Sequence, residues 1–186
     1  MKTFIALLRG INVGGKNVIK MDALRKSFES IGLSDVKTYI QSGNVLFHSD
    51  DDEDCLKKKI ESQIEKEFGL SLTVVLRTAE EIEQIVGNCP FSKEKVAEAE
   101  IGSDSECLYV ALLTHIPKEE NVQMWSAYGN DSNSDEFQII GRDVFFLFRD
   151  SIRNSKLAMH LNKLDAAATV RNWKTLNKIA TIAREL

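Results

Sequence analysis

Residues 7–17 have the sequence Leu-Leu-Arg-Gly-Ile-Asn-Val-Gly-Gly-Lys-Asn, which joins the first predicted strand to the first predicted helix. The stretch leaves an apolar segment, turns on three glycines and carries the cations Arg9 and Lys16. Glycines let backbone N–H groups converge on a ligand, and the two cations favour an anion. We therefore predict that residues 9–17, called the glycine loop below, bind an anionic group.

The apolar pattern around the glycine loop predicts a split βαβ unit. Residues 3–8 are apolar on both faces, which indicates a buried strand. After the loop, apolar residues at spacings of three and four predict a helix over about 21–31. A strand (36–41), a tight turn at Gly43, a second strand (45–48), a helix and a strand (72–76) follow. This βαββαβ order is the ferredoxin-like arrangement.

The second half of the chain predicts the order β-α-β-β-α-α. The predicted elements are a strand at 107–114, a helix at 117–128, a hairpin at 136–148 and helices at 155–161 and 172–184. This order matches the first half except that the last strand is absent. We expect a subdomain at 1–77, a helical and surface connection at 78–105, and a second α+β subdomain with a C-terminal helix at 106–186.

Charge is distributed unevenly along the chain, whose net charge is −4. Residues 1–48 carry +4, residues 49–136 carry −13 and residues 137–186 carry +5. If the two basic ends meet, they form a positive surface on an acidic protein. The alternative is that the acidic middle consists of solvated helices and a loop. Three scattered cysteines favour a reducing cytoplasm, and no apolar run is long enough to span a membrane.

Three clusters contain the residues that we predict to bind a ligand. The glycine loop forms the first cluster with the hairpin turn, the second surrounds a predicted helix N-terminus, and the third begins the last helix. The predicted ligand-binding residues are Arg9, Asn12, Lys16, Asn17, Gln41, Asn44, Arg149, Arg153, Lys156, Arg171, Asn172 and Lys174.

Each cluster has an alternative interpretation. In the first, the glycines only turn the chain and Asn12 caps backbone groups. In the second, the arginines pair with acidic residues of the middle segment. In the third, Trp173 lies on the apolar stripe of its helix and packs in the core, which leaves the polar residues beside it available to a ligand.

The glycine loop nearly matches a phosphate-binding P-loop, but two features speak against that motif. Asn17 occupies the position of the Ser or Thr that would hold Mg²⁺. The predicted helix begins near Met21, so its N-terminus does not point at the loop, and the next strand belongs to a hairpin. The sequence therefore favours a looser anion-binding loop over a nucleotide hydrolase.

Three separated motifs resemble one bacterial family, the domain of unknown function 1697. They are Leu8–Asn17, Thr38–Val45 and Thr169–Thr175, with the sequences LRGINVGGKN, TYIQSGNV and TVRNWKT. The resemblance spans nearly the whole chain. It implies a cytoplasmic α+β protein of two ferredoxin-like subdomains with antiparallel sheets and extra C-terminal helices. It implies no substrate, cofactor or catalytic residue.

We consider three functional hypotheses. The first is a binding protein for an anionic ligand, either phosphate-bearing or a nucleic acid, in a basic cleft between the subdomains. The second is an enzyme that acts on a small phosphorylated metabolite or nucleotide, and the third is a protein-interaction module. The sequence identifies no catalytic residue and no cofactor. Its histidines and cysteines have no metal-ligand spacing, so we expect no metal site.

Overall fold

The computed structural model describes residues 1–103, 105–130 and 135–186, which form two compact units. The first unit comprises Met1–Gln84 together with Lys178–Leu186, and the second comprises Ile85–Asn177. The loop predicted at residues 130–135 lies mostly outside the described residues. Each unit contains one four-stranded antiparallel sheet.

The first unit has the predicted βαββαβ order, and α3 follows it in the chain. The strand order in the sheet is β2-β3-β1-β4, as in ferredoxin-like folds. The elements are β1 (Lys2–Leu8), α1 (Met21–Ser30), β2 (Ser34–Tyr39), β3 (Asn44–Ser49), α2 (Glu53–Phe68), β4 (Val74–Thr78) and α3 (Ala79–Gly87).

Strand β1 lies at the centre of this sheet, and its side chains are buried on both faces as predicted. It pairs antiparallel with β3 along one edge and with β4 along the other. The face that carries Phe4, Ala6 and Leu8 packs against the apolar sides of α1 and α2. Burial of this continuous apolar surface is the main favourable contribution to folding of the unit.

Local sequence signals fix the helix ends in the first unit. Asp52 caps α2 by accepting a hydrogen bond from the Cys55 N–H, and Gly69 ends the helix in a left-handed conformation. At the start of α3, Thr78 and Glu81 exchange hydrogen bonds of 2.8 and 3.2 Å as a capping box. These contacts determine the two ends of α2 and the start of α3, whereas α1 has no side-chain N-cap.

The second unit repeats the same topology, and it contains a strand that the sequence analysis missed. The strand order is β6-β7-β5-β8. The predicted order β-α-β-β-α-α is wrong in one respect, because residues 168–172 form β8 beside β5. The elements are α4 (Lys93–Ile101), β5 (Leu108–Leu113), α5 (Glu119–Ser126), β6 (Glu136–Ile140), β7 (Asp143–Leu147), α6 (Lys156–Met159), β8 (Ala168–Asn172) and α7 (Trp173–Arg184), of which the residues of α7 after Asn177 belong to the first unit.

Trp125 is the centre of the second core. Its indole is fully buried, makes edge-on contacts with Phe137 and Phe146, and donates a hydrogen bond of 3.0 Å to the Leu157 carbonyl oxygen. The second helical layer is shorter than in the first unit. It consists of α6 between two 3₁₀ turns, at Ile152–Asn154 and Leu161–Leu164, rather than the helix predicted at 155–161.

The two units therefore confirm the α+β class with two ferredoxin-like halves. Residues 78–105, predicted as a connection, contain α3 and α4. The predicted boundaries themselves stay predictions. Within the described parts of the chain, no helix is both long enough and apolar enough to cross a lipid bilayer.

Gly43 provides a test of the packing between the hairpin turn and the glycine loop. Its φ is +76°, and a Cβ at this position would lie 2.9 Å from the Leu8 Cβ and 2.7 Å from the Ile11 Cδ1. Gly43→Ala should lower the free energy of unfolding by about 2–4 kcal/mol, because strain at positive φ and overpacking act together. Denaturant unfolding measures the effect.

Gly141→Ala is the matched control, since φ is +60° and nothing lies within 4 Å of its added Cβ. It should cost only about 1–2 kcal/mol, which is the backbone term alone. Equal losses in the two variants would contradict the predicted steric contact.

Candidate functional site

The side chain of Asn12 holds the glycine loop in place. Its amide nitrogen donates to the Ile19 carbonyl at 3.0 Å and to the Gln41 carbonyl at 2.8 Å, while its oxygen accepts from the Ile19 N–H at 2.9 Å. One side chain thus joins the two ends of the loop and connects them to the β2–β3 turn. The interpretation of Asn12 as a backbone cap is confirmed, and direct contact between Asn12 and a ligand stays a prediction.

The loop backbone is left-handed at five positions, which include Gly14 (φ +57°) and Gly15 (φ +74°). Asn17 also has positive φ, and its amide donates to the Gly10 carbonyl at 3.0 Å. Asparagine tolerates this region better than other side chains. The loop conformation is therefore determined by its own sequence and closed by internal hydrogen bonds.

The β2–β3 turn beside the loop contains an unusual residue. Ile40 has φ +50°, and its side chain is half exposed. Positive φ in a β-branched residue costs on the order of 1–3 kcal/mol. The predicted site residue Asn44 is fully buried and donates to the Tyr39 carbonyl at 3.0 Å and to Ser42 Oγ at 2.9 Å. Asn44 stabilises this turn, whereas the side chain of Gln41 is exposed.

The cations of the glycine loop are exposed and unpaired. Among the described residues, Arg9, Lys16 and Lys20 form no ion pair, and no carboxylate occurs between residues 7 and 21. Over the same described part of the chain, the backbone N–H groups of Gly14 and Gly15 have no intramolecular acceptor. The loop therefore presents positive charge and free donors to solvent.

A polar cavity of about 470 Å³ opens beside Arg9. The Glu61 carboxylate lies in its wall and accepts a hydrogen bond of 2.9 Å from the Val74 N–H. The cavity offers a cation, a carboxylate, two hydroxyls and an amide. Its lining residues are Arg9, Gly10, Asn17, Glu61, Ser71, Leu72 and Thr73.

The residues of the far wall of this cavity were not predicted from the sequence. Glu61, Ser71 and Thr73 come from the middle of α2 and from the segment before β4, where nothing in the sequence distinguishes them from ordinary surface residues. Their proximity to Arg9 follows from the pairing of β4 with β1, which brings the Arg9 N–H within 3.4 Å of the Thr73 carbonyl.

In the second predicted cluster, Arg149 forms an ion pair with Glu136. Arg149 Nη2 lies 3.1 Å from Glu136 Oε1, and Lys95 Nζ lies 2.7 Å from Glu136 Oε2. This contact confirms the alternative that Arg149 pairs with an acidic residue of the middle segment. Hydrogen bonds from Lys95 and, to a smaller extent, from Arg149 hold the pKa of Glu136 below its ordinary value.

The other two cations of the second cluster flank a helix start. Arg153 and Lys156 are exposed, and between them Ser155 caps α6 by accepting from the Ala158 N–H at 3.2 Å. Ser155 is therefore the N-cap of this short helix. Binding of a ligand by Arg153 and Lys156 stays a prediction.

The third cluster is more buried than its sequence indicates. Arg171 is 8% exposed, donates to Thr169 Oγ1 at 2.6 Å and to the Val170 carbonyl at 2.9 Å, and burial lowers its pKa to about 10. Asn172 accepts from the Thr175 N–H at 2.8 Å at the start of α7, while Lys174 is exposed. Arg171 and Asn172 thus make structural contacts, and their contact with a ligand stays a prediction.

The histidines lie in separate settings. His48 Nδ1 lies 3.0 Å from Asp35 Oδ2, and the ring of His160 stacks on that of Tyr128 with ring centroids 4.0 Å apart. In the described ranges, no group of three or more His, Cys, Asp or Glu residues could hold a metal ion. The cysteines Cys55, Cys89 and Cys107 are free.

Comparison with known proteins supports the fold. The sequence pattern of the family described as "Protein of unknown function (DUF1697)" matches residues 1–145. A solved structure of conserved bacterial protein SP0830 from Streptococcus pneumoniae is similar, with 26% identity, coverage of 99% of each chain and a TM-score of 0.73. None of the curated proteins compared with the chain matches it.

Replacement of Asn12 tests its role in closing the loop. Asn12→Gly keeps a residue that tolerates φ +54° but removes the three hydrogen bonds between the Asn12 side chain and backbone groups. The free energy of unfolding should fall by about 2–3 kcal/mol, since each bond contributes roughly 1 kcal/mol. Asn17→Gly, which loses one such bond, is the control for denaturant unfolding. A loss no larger than that of the control would contradict the proposed role.

The Glu136 ion pairs predict a dependence of stability on pH. Because its pKa is lowered in the folded protein, the Glu136 carboxylate stabilises the fold above its ordinary pKa, and this contribution disappears as pH falls through the lowered value. Glu136→Gln should destabilise by less than about 1 kcal/mol at neutral pH, and the difference should vanish near pH ~3.

Denaturant unfolding at the two pH values measures this effect, with Glu98→Gln as a control. Glu98 is exposed and has no ion pair or side-chain hydrogen bond with another described residue. A stability difference for Glu136→Gln that is the same at both pH values would rule out the ion pairs as its cause.

Proposed function

The chain belongs to the family described as a protein of unknown function, DUF1697, and we propose that the glycine loop of its first unit binds a small phosphate-bearing molecule. The observation that carries this proposal is the presence of unpaired cations on a loop that Asn12 holds in a fixed conformation. A loop that is already ordered loses little entropy when it binds a ligand.

The cations of the loop differ in charge environment from Arg25 and Lys59 of the same unit. Arg25 pairs with Asp22 and Glu29, and Lys59 pairs with Asp51. In contrast, Arg9 and Lys16 have no carboxylate partner among the described residues. No ion pair with a described residue neutralises these two charges, so they attract anions from solution.

The backbone supplies a second source of attraction. Gly14 and Gly15 adopt consecutive left-handed conformations directly before Lys16, and their N–H groups are free for an external acceptor. Successive N–H groups in such turns form concavities that bind phosphate oxygens. Lys16 adds a mobile charge beside these donors.

The cavity beside Arg9 favours a small polar ligand over a bare phosphate ion. The Glu61 carboxylate disfavours a second anionic group in the same space but accepts hydrogen bonds from hydroxyls. A volume of about 470 Å³ lies in the ordinary range for small-molecule sites. We therefore favour a phosphorylated polyhydroxy compound, such as a sugar phosphate or a nucleotide, over a nucleic acid.

A basic cleft lined by both subdomains, an enzymatic reaction and a nucleic-acid ligand stay predictions. The interaction-module hypothesis gains one supporting observation, since Val13 and Val18 are 65% and 70% exposed beside the loop. We also place the chain in the cytoplasm, a location that its free cysteines favour.

Thermal unfolding and calorimetric titration with ribose 5-phosphate test the proposal, with ribose as the uncharged comparison. Ribose 5-phosphate should raise the melting temperature and ribose should not. Arg9→Ala and Lys16→Ala should each weaken binding about ten- to hundredfold, the loss expected for one charge-assisted contact. Lys37→Ala removes an exposed cation from β2, outside the loop, and should leave affinity unchanged.

Equal weakening by Lys37→Ala would show a diffuse charge effect and would contradict a loop site. A melting temperature that no phosphate compound raises would also overturn the proposal. Binding of a single-stranded RNA in place of ribose 5-phosphate, with affinity that falls steeply with salt, would replace the small-molecule version with a nucleic-acid one.

A further inference from the structure

We propose that the second unit contains a separate binding site for a planar aromatic molecule that carries an anionic group. A cavity of about 460 Å³ lies among residues that all belong to this unit. It is surrounded by the end of α3, one face of α4, the start of α7 and a residue of β5. The lining residues are Val86, Gly87, Cys89, Lys93, Val96, Ala97, Glu100, Leu108, Trp173 and Asn177.

Small side chains leave this space open. An added Cβ at Gly87 would meet no atom within 4 Å, and Ala97 presents only a methyl group to the cavity. Lys93, Val96, Ala97 and Glu100 recur at spacings of three and four, so they lie along one face of α4. One wall of the cavity is therefore a regular helix face.

The apolar part of the lining fits a flat ring. Trp173 is half-buried, and the centroid of its ring lies 6.5 Å from that of Phe145. Val86, Val96 and Leu108 supply further apolar wall. Ligand sites combine aromatic and aliphatic walls with a few polar groups, and the stacking of a ring on an aromatic side chain adds to the burial of its surface.

Two charged residues orient the ligand. Lys93 and Glu100 are separated by seven residues, or about 10 Å along a helix. Lys93 forms no ion pair with any other residue that the structure describes. The ammonium group selects an anionic end of the ligand, and the Glu100 carboxylate accepts a hydrogen bond from a hydroxyl or amino group at the opposite end. A ring with a carboxylate on one side and a phenolic hydroxyl on the other matches this arrangement.

This site is independent of the glycine loop, because it shares no residue with it and lies in the other unit. In this site Trp173 lines a ligand cavity, which differs from the core packing considered for it above. The two tryptophans of the chain differ usefully, since Trp125 is fully buried and only Trp173 lines the cavity.

Tryptophan fluorescence during titration with 4-hydroxyphenylacetate tests the proposal in the full chain. The emission should change saturably, and the change should persist in Trp125→Phe, where Trp173 is the remaining tryptophan. Tyramine, which has a cation in place of the carboxylate, should bind at least about tenfold more weakly. Arg9→Ala should leave this titration unchanged.

Ala97→Phe fills the cavity from an exposed position on α4 and should abolish the saturable change, whereas Ala127→Phe, exposed and outside the cavity, should retain it. Lys93→Gln should weaken 4-hydroxyphenylacetate about tenfold without affecting 4-hydroxybenzyl alcohol. Circular dichroism confirms that each variant is folded. The absence of a saturable signal, unchanged binding in folded Ala97→Phe or tighter binding of tyramine would each overturn the assignment.

Discussion

Each unit depends on a first strand that is hydrogen-bonded along both edges. In the first unit β1 lies between β3 and β4, and in the second β5 lies between β7 and β8. Both central strands are also buried on both faces over most of their length, which explains their continuous apolar sequences. The central strand also fixes where functional groups emerge. The glycine loop begins where β1 ends, so the residues before β4 lie beside Arg9.

The sequence predicted the first unit well because its signals are local. Apolar spacing, a capping box and a glycine turn each act within a few residues. Strand β8 was missed because it is short and its two most buried side chains, Thr169 and Arg171, are polar, while only Ala168 and Val170 pack against the apolar core. Helix α4 was missed because Ala99 is its only residue described as buried. In both segments, tertiary contacts override the pattern that sequence analysis uses.

The candidate site could likewise be predicted from the sequence only in part. Charge and glycine content located the loop from the sequence alone. The sequence could not show that Asn12 uses its amide for internal bonds, that Arg149 pairs with Glu136, or that Glu61 lies in the wall of a cavity beside Arg9. These facts depend on contacts between distant parts of the chain. The cavity lined by Trp173 requires residues from 86 to 177 and has no local signal at all.

The two units also share a detail that topology alone does not require. Arg77 on β4 and Arg171 on β8 are both buried, and they occupy corresponding positions opposite Ile5 of β1 and Val110 of β5. The next residue in each case, Thr78 or Asn172, caps the following helix. The correspondence extends the similarity of the halves from strand order to individual side chains.

The composition of the first unit has a consequence for biosynthesis. Residues 178–186 belong to this unit, and Arg184 makes a two-pronged contact with Glu83 at 2.6 and 2.8 Å. During translation, residues 1–84 are synthesised long before this segment. The amino-terminal half must therefore wait, incompletely assembled, until translation has passed through the whole of the second unit. The first unit therefore completes its assembly only after the second unit has been synthesised. A chain whose translation stopped early would lack the carboxyl-terminal part of the first unit.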